Sequence, residues 1–169
     1  MLRCWQFAIE RKYVSASEVS QSRARTQTKT VHEQELRTMK HLLSVLGYIV
    51  ATFVIQALSH FVLFKSHYAS VSWIKAEPIF ALGFASMIIQ GLVMSIVYER
   101  SRFSAEGLIG AVKLAGAFGL VLVSYIAFAE AAKYAVPSVA AWIGIETLAG
   151  IFQFALAGLL MFYAHKYAK

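Results

Sequence analysis

The chain has 169 residues, 59% of them hydrophobic, with 16 Lys and Arg against nine acidic residues, none of them Asp, and a formal charge of +7. Soluble domains average about 45–50% apolar residues. Here the mean hydropathy is +0.60 and the basic residues flank apolar stretches, so anionic lipid headgroups explain the charge and nucleic acid is excluded as a partner. The single cysteine, Cys4, excludes an intrachain disulfide and a Cys-based zinc site.

Residues 1–38 differ from the rest. They carry Arg3, Arg11, Lys12, Arg23, Arg25, Lys29 and Arg37 around a Ser/Thr/Gln-rich centre from residue 15 to 30. That centre buries too little apolar surface to offset its ordering entropy, so a flexible, disordered basic tail is expected. Leu2, Trp5, Phe7, Ala8 and Ile9 suit a short interfacial helix. Met39-Lys40 stands directly before the first apolar stretch, as a natural start would. Residues 1–38 are therefore read either as that tail or as a segment foreign to the native protein, and residues 39–169 as the membrane domain.

Four apolar stretches follow, at residues 42–64, 79–97, 108–129 and 139–163. Each is long enough to cross a hydrocarbon core, which takes ~20 helical residues. The fold class is therefore all-α: an integral membrane bundle of four transmembrane helices joined up-down-up-down by short loops. Four spans put both termini on one side. That side collects the tail through Lys40, Arg100, Arg102, Lys166 and Lys169; the other has Lys65, Lys75 and Lys133. The positive-inside rule predicts cytoplasmic termini.

Pro78 and Pro137 precede spans two and four and suit a first helical turn, with Glu77 and Ser138 as partners for the free N–H groups. Tyr68, Trp73, Tyr134 and Trp142 are expected to form an outer aromatic belt, and Tyr98, Phe103, Tyr163 and Tyr167 an inner one. Small residues let membrane helices approach closely. Gly83, Ser86 and Gly91 in span two, Gly107, Gly110, Ala115, Gly116 and Gly119 in span three, and Ala140, Gly144, Gly150 and Gly158 in span four are the expected contacts.

Polar side chains at membrane depth are costly and therefore informative. Span one carries Thr52, Gln56 and His60 at a spacing of four, on one face. Span two carries Ser86 and Gln90, and span four Glu146 and Gln153. Glu130 and Lys133 close span three as a surface pair, and Lys113 snorkels as an anchor. Glu146 lies about nine residues past Pro137, ~13 Å into the helix, where a carboxylate needs a partner, water or a proton. Glu146, His60, Gln56, Gln90, Gln153 and Glu130 form the candidate polar intramembrane site. One reading is a structural network with Glu146 hydrogen-bonded to Gln56 or His60. The other is a Glu–His pair that relays protons or holds a cation.

No catalytic residues, metal ligands or cofactor-binding residues are expected: there is no H-E-x-x-H, phosphate loop or nucleophile elbow. His41 and His165 can approach each other at the inner edge, but as snorkelling end residues rather than haem ligands.

Glu77-Pro78-Ile79-Phe80-Ala81-Leu82-Gly83, Ser59-His60-Phe61-Val62-Leu63-Phe64 and the run Ala129 to Ser138 resemble small uncharacterised bacterial four-span inner-membrane proteins over residues 39–169. The resemblance implies a bacterial inner membrane and carries no activity. Two functions compete. One is a non-enzymatic accessory protein, packed in a larger or homo-oligomeric membrane complex. The other is a small proton- or cation-coupled transporter or channel subunit using Glu146 with His60. A membrane enzyme ranks below both.

Overall fold

The computed structural model describes the backbone of residues 2–71 and 79–168, with side chains from residue 25 onward and at 21 and 23. Trp73, Lys75, Glu77, Pro78 and Lys169 lie outside the described residues, as do the side chains of the proposed interfacial helix at the N-terminus. The chain divides into two units, Met1–Thr38 and Met39–Lys169. Among the described residues there is no strand, and four helices are long and apolar enough to cross a membrane.

Helix α1 spans Leu2–Ala57. The first unit is thus helical where disorder was expected. No Gly or Pro occurs before Gly47, and the Glu, Gln, Arg and Lys of this segment are good helix formers. Its described side chains are exposed and held by local contacts, such as Thr30 Oγ1 on the Gln27 carbonyl and Lys29 beside Glu33 at 3.9 Å.

The second unit is the bundle. Span one ends in a π-helical stretch, Leu58–Leu63, followed by the short α2, Lys65–Ala69. Span two is α3, Phe80–Arg100. A 3₁₀ turn, Arg102–Glu106, leads into α4, Gly107–Ser124, which continues through a second π stretch, Tyr125–Glu130, into α5, Ala131–Lys133. Span four is α6, Val139–Tyr167, and Ser138 caps it by accepting from Ala141 N at 3.3 Å, as expected. Gly107 turns the chain at φ +63°, a conformation that favours glycine.

Cross-span contacts establish the antiparallel order. His41, early in span one, meets Ser95, late in α3, and Ser95 meets His165, late in α6. Gln56, late in span one, meets Gln153 in α6. Because lipid is as apolar as the helix surfaces, close packing must do the work that hydrophobic exclusion does in water. A Cβ on Gly119 would meet the Phe154 ring at 2.8 Å, one on Gly150 would meet Val123 Cγ2 at 2.3 Å, and one on Gly158 would meet Ala115 Cβ at 3.0 Å. These three glycines lock α4 to α6. Gly91 seats α3 on Val45 and Tyr48 of span one, and Gly47 seats span one on Leu160. Gly83, Gly116 and Gly144, expected at interfaces, face open space.

The core is built on Tyr48, Ala51, Met94, Leu114, Phe154 and Met161. Leu120, Val121, Phe61 and Leu82 point outward, as lipid-facing residues do. The aromatic belts need correction. Tyr68 and Trp142 are buried and pack with Val71 in a second cluster, because each has a polar atom that finds a protein partner. Tyr98 is buried as well, donating to the Gly107 carbonyl at 3.2 Å. Tyr134, Tyr163 and Tyr167 remain exposed.

Candidate functional site

Four of the six candidate polar residues line one cavity. It holds about 280 Å³ between all four spans. Span one contributes Tyr48, Thr52 and Gln56; α3 contributes Ser86 and Gln90; α6 contributes Glu146 and Gln153. Leu122 and Val123 of α4 form the apolar wall.

Two hydrogen-bonded chains order these groups. Gln56 Nε2 donates to Gln153 Oε1 at 2.9 Å, and Gln153 Nε2 donates to Thr52 Oγ1 at 3.1 Å. Tyr48 donates its hydroxyl to Gln90 Oε1, and Gln90 Nε2 donates to Ser86 Oγ at 2.8 Å. The spacing of four along span one brings Thr52 and Gln56 to the same face of the helix. The Gln153 and Gln90 amides are thereby fixed in orientation by two partners each, and Gln56 by one.

Glu146 sits at one end of the cavity, largely buried. Its partner is neither Gln56 nor His60, as the sequence suggested. Tyr68, carried back over the bundle by α2, donates its hydroxyl to Glu146 Oε1 at 2.7 Å. Ser59 Oγ lies 3.4 Å from the same hydroxyl. His60 is one residue removed: its ring stacks on Tyr68 with centroids 3.6 Å apart and planes at 12°. The π-helical turn at Leu58–Leu63 carries both Ser59 and His60. The second π turn frees the Ile126 carbonyl, which accepts from Trp142 Nε1 at 3.2 Å. Such turns recur at functional sites because they re-aim side chains and release carbonyls.

Burial pushes the Tyr68 phenol well above its ordinary value. The Glu146 carboxylate adds to the rise and the Ser59 contact opposes it. The phenol is therefore a firm proton donor to Glu146 throughout the neutral range. Glu146 Oε2 has no hydrogen-bond partner among the described residues.

Glu130 does not line the cavity, and it feels the charge of Lys133 one turn on. The Lys133 ammonium lies over the Tyr125 ring, 5.5 Å from its centroid. Lys113 is held by Glu106 at 2.8 Å, rather than standing as a lone anchor.

Among the described residues Glu146 is the one formally charged residue on the cavity wall, and the other polar contributors are amides and hydroxyls. The wall is otherwise apolar, so these few groups carry its polarity. Below the cavity the bundle is closed by Met94, Leu114 and Met161 of the core.

A second polar cluster, at the end bearing the termini, was not expected as a site. Ser95 Oγ lies 2.9 Å from His41 Nδ1 and 3.0 Å from His165 Nε2, and His41 Nε2 is 3.3 Å from Glu99 Oε2. The two histidines do approach, with ring centroids 6.0 Å apart, but Ser95 bridges them. The sequence signal was Ser95 four residues before Glu99 on one face of α3.

No family model, no curated protein and no solved structure matches this chain, so its reading rests on the residues themselves.

Proposed function

We propose that this integral membrane protein binds a small cation, or a proton with its water, inside its four-helix bundle, and that it acts as a transporter or channel subunit rather than an enzyme. The observation that carries the reading is the composition of the cavity wall among the described residues: one carboxylate, held at one oxygen by Tyr68, with amides and hydroxyls from three spans and no Lys, Arg or His beside it. A volume of about 280 Å³ suits an ammonium- or guanidinium-sized guest with a few waters. His60 shields the Tyr68–Glu146 contact rather than relaying through it. The closed core means that flux needs a rearrangement of the helices or a second copy of the chain. The charge bias favours cytoplasmic termini, and the resemblance to bacterial four-span proteins favours an inner membrane.

The test is flux into vesicles that contain the purified full chain, with protons followed by a trapped pH-sensitive dye, potassium by a trapped potassium-sensitive dye and guanidinium by uptake of the radiolabelled ion. One of them should cross, and Glu146→Gln should lower its rate by about ten- to a hundredfold, as expected for loss of a charge-assisted contact. Helix content should be unchanged. Absence of flux for all three, or wild-type flux in Glu146→Gln, would overturn the reading.

The accessory role is the second reading, favoured by the outer face of α4 and α6. An apolar groove of about 430 Å³ runs there past Gly116, Leu120, Phe128 and Ile151. Gly116 has nothing within 4 Å of its Cβ position, so a further helix has room to approach. Native mass spectrometry of gently extracted protein separates the readings: a stoichiometric foreign subunit supports the accessory role.

A further inference from the structure

At the end of the bundle that carries the termini, a second cavity of about 300 Å³ opens between span one, α3, the turn after it and the end of α6. Its walls carry two ammonium groups, Lys40 and Lys166, together with the Ser104 hydroxyl and the His165 ring. One carboxylate, Glu99, shares the wall, and it is engaged by His41. The balance of the wall is therefore positive.

The hydrogen-bonded chain behind this wall decides what His165 can offer. Ser95 is fully buried and has a single proton, so it donates to one histidine and accepts from the other. With His165 neutral, two proton orders satisfy all three contacts. In the first, a neutral His41 donates from Nε2 to Glu99, Ser95 donates to His41, and His165 donates to Ser95 and leaves its Nδ1 bare. In the second, His41 carries a proton on each nitrogen and donates to both Glu99 and Ser95, Ser95 donates to His165 Nε2, and His165 carries its proton on Nδ1. The ring lines the cavity, so an anion there favours the second order over the first, because the neutral ring then keeps an N–H that Ser95 does not use. The charged groups around the ring are Lys40 and His41 of span one, Glu99 of α3 and the adjacent Lys166.

We infer that this cavity is a binding site for a phosphate group, with Lys40 and Lys166 as its counter-charges and His165 as a further hydrogen-bond donor, while the Ser104 hydroxyl on the wall donates to the Ser101 carbonyl at 2.9 Å. Its position at the span ends, level with the headgroups, makes an anionic phospholipid the favoured carrier; basic pockets between transmembrane helices hold such headgroups. A soluble phosphate compound would use the same groups.

The experiment uses the full chain in nanodiscs of phosphatidylcholine with a minor share of phosphatidylglycerol. Native mass spectrometry counts the lipids retained, with and without millimolar inorganic phosphate. Retention should favour phosphatidylglycerol and fall about fivefold for each of Lys40→Gln and Lys166→Gln. Ser95→Ala should weaken it with both lysines intact, because the donor order at His165 is lost. Phosphatidylglycerol that resists inorganic phosphate identifies the lipid as carrier, whereas displacement by phosphate identifies a soluble carrier at the same site. Equal retention of the two lipids, or unchanged retention in both lysine variants, overturns the inference. Should the lysine variants fail to fold, the charge-keeping Lys40→Arg and Lys166→Arg variants carry the test: preferential retention of phosphatidylglycerol there supports the inference, and equal retention of the two lipids overturns it.

Discussion

The Tyr68 hydroxyl donates to Glu146 Oε1 at 2.7 Å, so a residue of a five-residue helix outside the spans supplies the partner for the carboxylate inside. The contact explains how a membrane helix carries a buried acid without an opposing base. It also makes the segment after span one part of the site.

Removing that hydroxyl should destabilise the protein. Tyr68→Phe leaves the Glu146 carboxylate without its donor, at an expected cost of about 1–3 kcal/mol. Thermal unfolding in detergent measures it. A midpoint equal to wild type would show that water replaces the phenol without loss.

Alkaline stability should depend on the same group. The folded-state value of Tyr68 lies above its ordinary 10.0, so the unfolded chain gives up this proton first as pH rises. The stabilisation is complete below the ordinary value and is lost progressively above it. Unfolding midpoints should fall above pH about 10, and Tyr68→Phe should flatten that fall. The phenolate absorbance of Tyr68 should emerge only above its ordinary value of 10.0.

Glycines should separate into two classes. Gly150→Ala drives a methyl to within 2.3 Å of Val123 Cγ2 and should cost about 1–3 kcal/mol through overpacking. Gly83→Ala and Gly144→Ala meet nothing within 4 Å and should be neutral or stabilising by up to about 1 kcal/mol, the helix-propensity difference. Differential scanning of the three variants side by side tests the α4–α6 interface directly.

The amide chain should count as well, modestly. Gln153→Leu strands Gln56 Nε2 and removes the donor to Thr52. Polar contacts between membrane helices average about 0.6 kcal/mol and reach about 1.7, so a loss of roughly 1 kcal/mol is expected by equilibrium unfolding in mixed micelles. A double variant with Gln56→Leu should cost less than the sum of the single changes, because the two residues share one bond.

The spans and their antiparallel order were legible because length and hydropathy govern a helix in lipid almost alone. The polar residues at depth were legible individually, and Gln56, Gln90, Gln153 and Glu146 line one cavity, but His60 and Glu130, expected with Glu146, lie off it. The partner of Glu146 was not. Tyr68 lies in a connecting segment, and its aromatic ring fits an interfacial belt as well as a buried contact. His41, Ser95 and His165 escaped notice as a cluster for a related reason: each fits an ordinary end-of-helix role, and only the packing of three spans joins them. The helical first unit was missed because a composition too polar for a core still lacks any helix breaker.

Along α3, the buried residues Gly91, Met94, Ser95 and Tyr98 all fall in the second half, while the first half, from Phe80 to Gln90, has none. That first half is the cavity's α3 wall, with Gly83, Ser86 and Gln90 on it. One end of this helix is therefore clamped and the other leans on little but lipid. Local opening concentrates where packing is thinnest, so the amide protons of the first half of α3 should exchange before those of the second half.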